Sequence, residues 1–119
     1  MYLQHPPRFQ ALEVFTRMPA ALRRTGARSA WADANQGGRA SDSFLEGPVF
    51  DDAGNLYVTD IPFGRVFRIS PRGDWDLVAQ WDGEPNGMKF LSATELLVTD
   101  YRHGLMLLDL PTGQVRSYL

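Results

Sequence analysis

The sequence contains no cysteine and only one lysine, and it has no long run of apolar residues. The absence of cysteine excludes a disulfide framework, a thiolate zinc site and a thiol nucleophile, and it fits a reducing or an oxidising compartment equally well. No apolar run approaches the roughly 18 residues that a membrane-spanning helix needs. The first seven residues lack the apolar core of a signal peptide. The sequence therefore predicts a cytoplasmic protein with no membrane partner.

Charge is divided unevenly along the chain. Residues 1–44 carry six Arg and three acidic residues, whereas residues 46–119 carry six basic and eleven acidic residues. A weakly basic leader is a poor signal for nucleic-acid binding, so we expect no nucleic-acid partner. The acidic part suits a cation or a neutral polar substrate, although a solvated acidic surface produces the same composition.

Residues 46–119 contain one motif twice, with an offset of 40 residues. The first copy joins Glu46-Gly47-Pro48 to the run at 56–60, and the second joins Pro85-Asn86-Gly87 to the run at 96–100. A period of about 40 residues made of short strand patterns is typical of β-propeller blades. The sequence therefore predicts an all-β fold of the β-propeller class, with two four-stranded blades at residues 45–84 and 85–119.

Alternating apolar residues and turn signals divide each unit into four strands. The predicted strands are 47–50, 56–59, 65–70 and 75–80 in the first unit, and 88–90, 96–99, 105–108 and 114–119 in the second. Residues 1–44 form a leader, in which 11–17 is predicted as a ring-closing strand, 20–24 as a helical turn and 36–43 as a loop. Because each blade needs a neighbour on both faces, we expect two exposed apolar faces.

The antiparallel order brings several segments to one end of the sheets. The chain reverses at every turn, so residues 60–64, 81–85 and 100–104 should lie where Glu46 and Asn86 open the inner strands. Converging carboxylate and amide oxygens are the ligands that Ca²⁺ prefers, and a glycine after each would admit a close approach. Glu-Gly-Pro and Asn-Gly are also common turn sequences, so the spacing alone leaves a metal site and a structural turn as alternatives.

Several segments resemble the regucalcin/gluconolactonase/luciferin-regenerating-enzyme family, and the similarity covers almost the whole chain. They are residues 29–39, 43–51, 55–60, 64–70, 84–90 and 99–106. The resemblance implies a six-bladed propeller with a divalent cation, usually Ca²⁺, on its axis, acting on a sugar lactone or similar ester. It implies that Glu46 is a metal ligand and that Asn86 is a polar group facing the channel. It matches no residue here to the catalytic acid or base.

The other candidates for the substrate face lie in turns at the same end of the predicted blades. They are Phe63, Tyr101, Arg102 and His103. A single histidine without an orienting partner is more often a surface turn residue than a general base. Trp81 is expected to pack between the blades, and the recurring Asp60 and Asp100 are expected to bond turn backbone. His5, beside two prolines, is predicted to have no role.

Three functional interpretations follow from these patterns. The preferred one is the N-terminal portion of a metal-dependent lactone or ester hydrolase, in which further blades complete the ring. The second is a two-blade unit that completes the ring by self-association. The third is a non-catalytic β-propeller module that binds a partner.

Overall fold

The chain forms two antiparallel four-stranded sheets that follow two short helical segments. The structure is a computed structural model that describes residues 6–119, so the prediction for His5 lies outside the described residues. The first sheet contains β1 (Leu45–Phe50), β2 (Leu56–Asp60), β3 (Arg65–Ile69) and β4 (Trp75–Gln80), and the second contains β5 (Pro85–Phe90), β6 (Glu95–Asp100), β7 (Gly104–Asp109) and β8 (Gln114–Ser117). The helix α1 spans Ala30–Asn35, and 3-10 turns span Ala20–Leu22 and Ile61–Phe63.

All eight predicted strands are present in the predicted order, which confirms the all-β interpretation. Each sheet is a simple meander of sequential neighbours. Within residues 6–119 the two sheets do not close into a ring. No helix in the same range is long and apolar enough to cross a membrane.

The strand predicted at residues 11–17 does not form in the described residues, and its ring-closing role stays a prediction. That segment has no regular secondary structure, and Leu12 and Val14 are 102% and 66% exposed. Alternation of apolar residues makes a strand only where a neighbouring strand satisfies the backbone hydrogen bonds, and none lies beside this segment. The helical turn predicted at 20–24 is present as the 3-10 turn at Ala20–Leu22, and the loop at 36–43 is confirmed.

The two sheets pack face to face around one apolar core. The core is formed by Tyr57, Val66 and Ala79 of the first sheet and Leu96, Val98 and Leu108 of the second. Burial of such side chains contributes about 25 cal/mol for each Å² removed from water. The ring of Tyr57 also meets that of Phe90 edge to face, with 5.4 Å between centroids.

Gly47 allows the innermost strands of the two sheets to touch. A bulge interrupts the register of β1 after Glu46, and Gly47 adopts a φ of 56°. A Cβ on Gly47 would overlap the backbone carbonyl oxygen of Asn86. The Thr59 hydroxyl donates to that same oxygen at 2.9 Å. The glycine therefore admits the neighbouring strand, whereas the sequence led us to expect that it would admit a ligand.

The leader covers the outer face of the first sheet with apolar side chains. Met18 and Leu22 pack against a cluster formed by Leu56, Val58, Phe67, Ile69 and Trp75. The expectation that both outer faces are exposed is therefore wrong for the first sheet. Alternation within β2 predicts an apolar outer face but cannot show which segment covers it.

Polar contacts fix the leader in this position. The Thr16 hydroxyl donates to the Gly73 carbonyl at 3.0 Å and accepts from the Trp75 indole at 3.1 Å. The buried Arg65 guanidinium donates to the Leu22 carbonyl at 2.7 Å.

The offset of 40 residues does not hold in the third strand of the repeat. Asp60 pairs with Arg65 in the first sheet, whereas Asp100 pairs with Gly104 in the second. The turn of the second sheet is one residue shorter, so the third strands correspond at an offset of 39. Gly64, which aligns with Gly104 in sequence, instead ends the 3-10 turn in a left-handed conformation.

Candidate functional site

One cavity of about 290 Å³ lies where the first strand of each sheet begins. It is lined by Trp31, Asn35, Phe44, Glu46, Ile61, Glu84, Asn86 and Tyr101. Glu46 belongs to β1 and Asn86 to β5, and the two residues occupy equivalent positions in the repeat. The pairing of Leu45 with Asp60 and of Pro85 with Asp100 places the turn segments at the same end. The prediction that these segments share one end is confirmed.

The cavity carries negative charge that no lining residue offsets. Among residues 6–119, Glu46 and Glu84 are the acidic members of the lining, which contains neither Arg nor Lys, although Glu84 also borders the neighbouring cleft that Arg28 and Arg102 line. The ion pairs found within residues 6–119 involve neither glutamate. Glu46 is exposed and Glu84 is half-buried. Uncompensated carboxylates near low-dielectric protein attract cations, and water can still reach this pair.

The Asn86 side chain is oriented by its neighbour. Its Nδ2 donates to the Tyr101 hydroxyl at 3.2 Å, and its Oδ1 is an acceptor oxygen. The backbone carbonyl of Asn86 is already engaged by Thr59, which fixes this residue against the first sheet. The amide can therefore offer one neutral oxygen to a cation or to a hydroxyl donor.

The helix α1 contributes two lining residues that we did not predict, Trp31 and Asn35. Ser29 caps the helix by accepting from the Ala32 amide at 3.1 Å. Asn35 Nδ2 donates to the Trp31 carbonyl at 2.9 Å, and the Trp31 ring lies 4.6 Å from that of Phe44. The sequence does contain a signal for this helix, because Ser29 precedes an alanine-rich segment and serine is a preferred residue at the N-terminus of a helix. The spacing of four residues then places Trp31 and Asn35 on one face.

Phe63 and Arg102 line a neighbouring cleft of about 300 Å³ rather than the cavity of Glu46. Two guanidinium groups lie over the Phe63 ring, those of Arg24 and Arg65, at 5.6 and 5.4 Å from its centroid. Arg102 forms an ion pair with Asp82. The His103 ring contacts the backbone carbonyl of Asp82. Of the five substrate-face candidates, the structure therefore brings only Asn86 and Tyr101 together with Glu46.

Asp60 and Asp100 fix the backbone that carries the two inner-strand residues. The Phe44 amide donates to Asp60 Oδ1 at 2.7 Å, and the Glu84 amide donates to Asp100 Oδ2 at 3.2 Å. Their expected structural role is confirmed by this repeated bond, which lies two residues before Glu46 and before Asn86. Trp81 is half-buried against the core between the sheets, as expected, and its indole donates to Asp100 at 2.7 Å.

Burial raises the pKa of the Asp60 carboxyl, although the Phe44 amide and the Arg65 guanidinium act in the opposite direction. Arg65 Nε donates to Asp60 at 2.8 Å, so the pair is internal to the fold and does not face the cavity.

The cavity offers part of a cation site. Within the described range, no three His, Cys, Asp or Glu side chains come together as a cluster that could hold a metal. Two carboxylates with the amide oxygens of Asn35 and Asn86 suit a hard cation, which takes six to eight oxygens in the case of Ca²⁺. These residues fit such an ion in chemistry and fall short of it in number.

A scan against protein-family models, a search of curated proteins and a search of solved structures found no match.

Proposed function

We propose that the two sheets are consecutive blades of a six-bladed β-propeller and that the chain belongs to a divalent-cation-dependent hydrolase of lactones or related esters. The observation that carries the proposal is the cavity that Glu46 and Asn86 both line, at equivalent positions of the repeat, with no basic residue in the lining among residues 6–119. A ring built on this repeat would point one such residue of each blade toward its axis. The resemblance of residues 43–51 to the regucalcin family supports the same assignment. A cytoplasmic location is part of this proposal.

Glu46 is the anionic ligand in this proposal, and Glu84 adds a second negative charge at the same cavity. Asn86 supplies a neutral oxygen, and Tyr101 orients it through the amide nitrogen. Further blades and water supply the ligands that complete a shell of six to eight oxygens. A bound Ca²⁺ would supply Lewis-acid polarisation of a substrate carbonyl and would help to orient the attacking water.

A non-catalytic binding module is the second candidate, and one observation favours it. Among the described residues no histidine lines the cavity, since His103 lies beside the neighbouring cleft and contacts the Asp82 backbone. A module of this kind would bind a polar ligand and a cation without turnover.

Lactone hydrolysis tests the proposed activity directly. Acid release from a panel of sugar lactones is measured for the complete ring, in which further blades join residues 1–119, with Ca²⁺ and with EDTA. We expect a Ca²⁺-dependent rate that Glu46→Gln lowers about 10-fold or more, since even outer-shell changes at metal sites cost about 10–100-fold. Asp52→Asn removes an exposed carboxylate from the turn at the opposite end of the sheet and should leave the rate unchanged.

Two outcomes contradict the hydrolase. A rate that survives both EDTA and Glu46→Gln removes the cation site from the chemistry. Calcium binding without hydrolysis of any lactone in the panel assigns the chain to the binding-module class.

A further inference from the structure

One face of the first sheet packs on the second sheet, and the equivalent face of the second sheet has no sheet packed on it within residues 6–119. Tyr57, Thr59 and Val66 of the first sheet face the second sheet. By strand register, Leu97, Thr99 and Leu105 are their equivalents. These three side chains lie on the opposite side of the second sheet from the core residues, and we call this surface the free face. Leu107 lies on the same side but is only 4% exposed, so it is already buried within the chain.

The face of the second sheet on which the first sheet packs also has an equivalent, which is the outer face of the first sheet. Phe90, Leu96, Val98 and Leu108 form the surface on which Tyr57 packs. The corresponding residues of the first sheet, which we call the receiving face, are Phe50, Leu56, Val58 and Ile69. The chain therefore carries both halves of the contact that joins its own two sheets.

The leader covers the receiving face incompletely. Met18 and Leu22 pack over Val58 and Ile69. Phe50, however, is 64% exposed, whereas its equivalent Phe90 packs against the Tyr57 ring. A partner that repeated the contact between the sheets would bury Phe50, which the leader does not.

We propose that a second copy of this chain docks its free face on the receiving face of the first sheet, in a head-to-tail contact that replaces the leader segment 16–22. In this contact Leu97 of one copy meets Phe50 of the other, as Tyr57 meets Phe90 within the chain. The Thr99 hydroxyl reaches the Glu46 carbonyl, as the Thr59 hydroxyl reaches that of Asn86. In the single chain Thr99 instead bonds to Gly87 of its own sheet.

Self-complementarity identifies the occupant as another copy. The pair of faces that fits is already present in the interface between the two sheets, and a contact between different faces can repeat until it closes a ring. A symmetric contact between two free faces would bring the Lys89 and Arg116 side chains of both copies together, because both flank the Leu97–Leu107 pair. Facing like charges are destabilising, which favours the head-to-tail arrangement.

In this proposal the leader controls the equilibrium between the single chain and the assembly. It competes for the receiving face with Met18, Leu22 and the bonds of Thr16 to Gly73 and Trp75. Association should increase with protein concentration and decrease when the leader is fixed in place. This inference rests on the packing of the sheets and does not depend on the hydrolase activity, and further copies of the two sheets would take the places of the further blades in the proposed ring.

A reversible disulfide between positions 16 and 73 can hold the leader on the receiving face, and we call the variant that forms it the lock variant. The chain has no cysteine of its own, and a Cβ built on Gly73 lies 3.4 Å from the Thr16 Cβ, close to the separation of about 3.5–4.5 Å in disulfides. Gly73 has a φ of 88°, so a cysteine there also costs about 1–2 kcal/mol of backbone strain in both redox states. The double variant Thr16→Cys/Gly73→Cys is compared oxidised and reduced by sedimentation velocity over a concentration series. We expect the unaltered chain to associate and the oxidised variant to remain monomeric. Reduction should bring association at least to the level of the unaltered chain, because the reduced variant lacks the Thr16 hydroxyl that bonds the leader to Gly73 and Trp75.

The free face is tested separately with Leu97→Glu, and Leu12→Glu serves as the matched control because Leu12 is fully exposed on the leader. Leu97→Glu should raise the dissociation constant about 10-fold or more, since it introduces an unpaired charge into an apolar contact, and Leu12→Glu should not. Thr99→Arg, at an exposed position, makes the same test if Leu97→Glu fails to fold by its melting curve.

Three results would overturn the inference. The first is a chain that stays monomeric at all concentrations, reduced lock variant included. The second is an oxidised lock variant that associates as strongly as the unaltered chain, which would point to the symmetric contact. The third is association that neither free-face variant changes.

Discussion

Replacement of Gly47 by Ala should separate the two sheets where their inner strands touch. Gly47 has a φ of 56°, and left-handed backbone costs an L-residue about 1–2 kcal/mol. The added Cβ would also overlap the Asn86 carbonyl oxygen, a backbone atom that cannot rotate away. Overpacking of this kind costs about 1–3 kcal/mol. We therefore expect Gly47→Ala to lower the free energy of unfolding by about 2–5 kcal/mol, measured by urea denaturation.

Gly104→Ala is the matched control for backbone strain. Gly104 also lies in a strand with a positive φ, of 79°, and nothing lies within 4 Å of its built Cβ. Its loss should be about 1–2 kcal/mol from the backbone alone. The entropic effect of adding a methyl group to the unfolded chain is the same for both variants and cancels. Equal losses for the two variants would refute the close approach of β1 and β5.

Two further predictions concern the turn after β1 and the leader. Burial raises the pKa of Asp51, but hydrogen bonds from Asn55, Ala53 and Tyr57 outweigh it and leave that pKa below 3.8. The ionised Asp51 carboxylate therefore stabilises the fold fully above about pH 3.8, and this stabilisation is lost as the pH falls through the lowered pKa. Between pH 7 and about pH 2.5, the urea midpoint of Asp51→Asn should fall less than that of the unaltered chain. An equal fall in the two proteins would contradict this. Met18→Ala should lower the free energy of unfolding by about 2–3 kcal/mol in the same urea assay, because Met18 is only 5% exposed. The control Arg17→Ala changes an exposed neighbour and should alter that free energy by no more than about 0.5 kcal/mol. Equal effects of the two variants would show that the leader does not pack on the first sheet through Met18.

The strands and the shared end of the sheets could be predicted because both follow from local rules. Alternation of apolar residues fixes each strand, and antiparallel reversal then places Glu46 and Asn86 at one end. The position of the leader could not be predicted in this way. Thr16 bonds to Gly73 across 57 residues, and no local pattern encodes that pairing. The alternation of Leu12 and Val14 is the same pattern as that of a paired strand, although here it has no partner.

The repeat also shows where a sequence alignment stops being a structural alignment. Gly64 and Gly104 match at the offset of 40, yet Gly64 ends a 3-10 turn and Gly104 opens a strand. The shorter turn of the second sheet shifts its third strand by one residue. Such a shift changes the side of the sheet on which every side chain lies, so Val66 corresponds to Leu105 and not to Met106. Only the strand register reveals this correspondence.

Direct titration of Ca²⁺ into the chain by isothermal titration calorimetry tests the account at its centre, the grouping of Glu46 with Asn86 around a cation. An incomplete set of oxygen ligands predicts binding in the range of about 10⁻⁴–10⁻³ M. This heat should disappear in Glu46→Gln and persist in Asp52→Asn, which changes the same charge away from the cavity. The absence of binding at millimolar Ca²⁺, or equal binding by the unaltered chain and Glu46→Gln, would contradict the account.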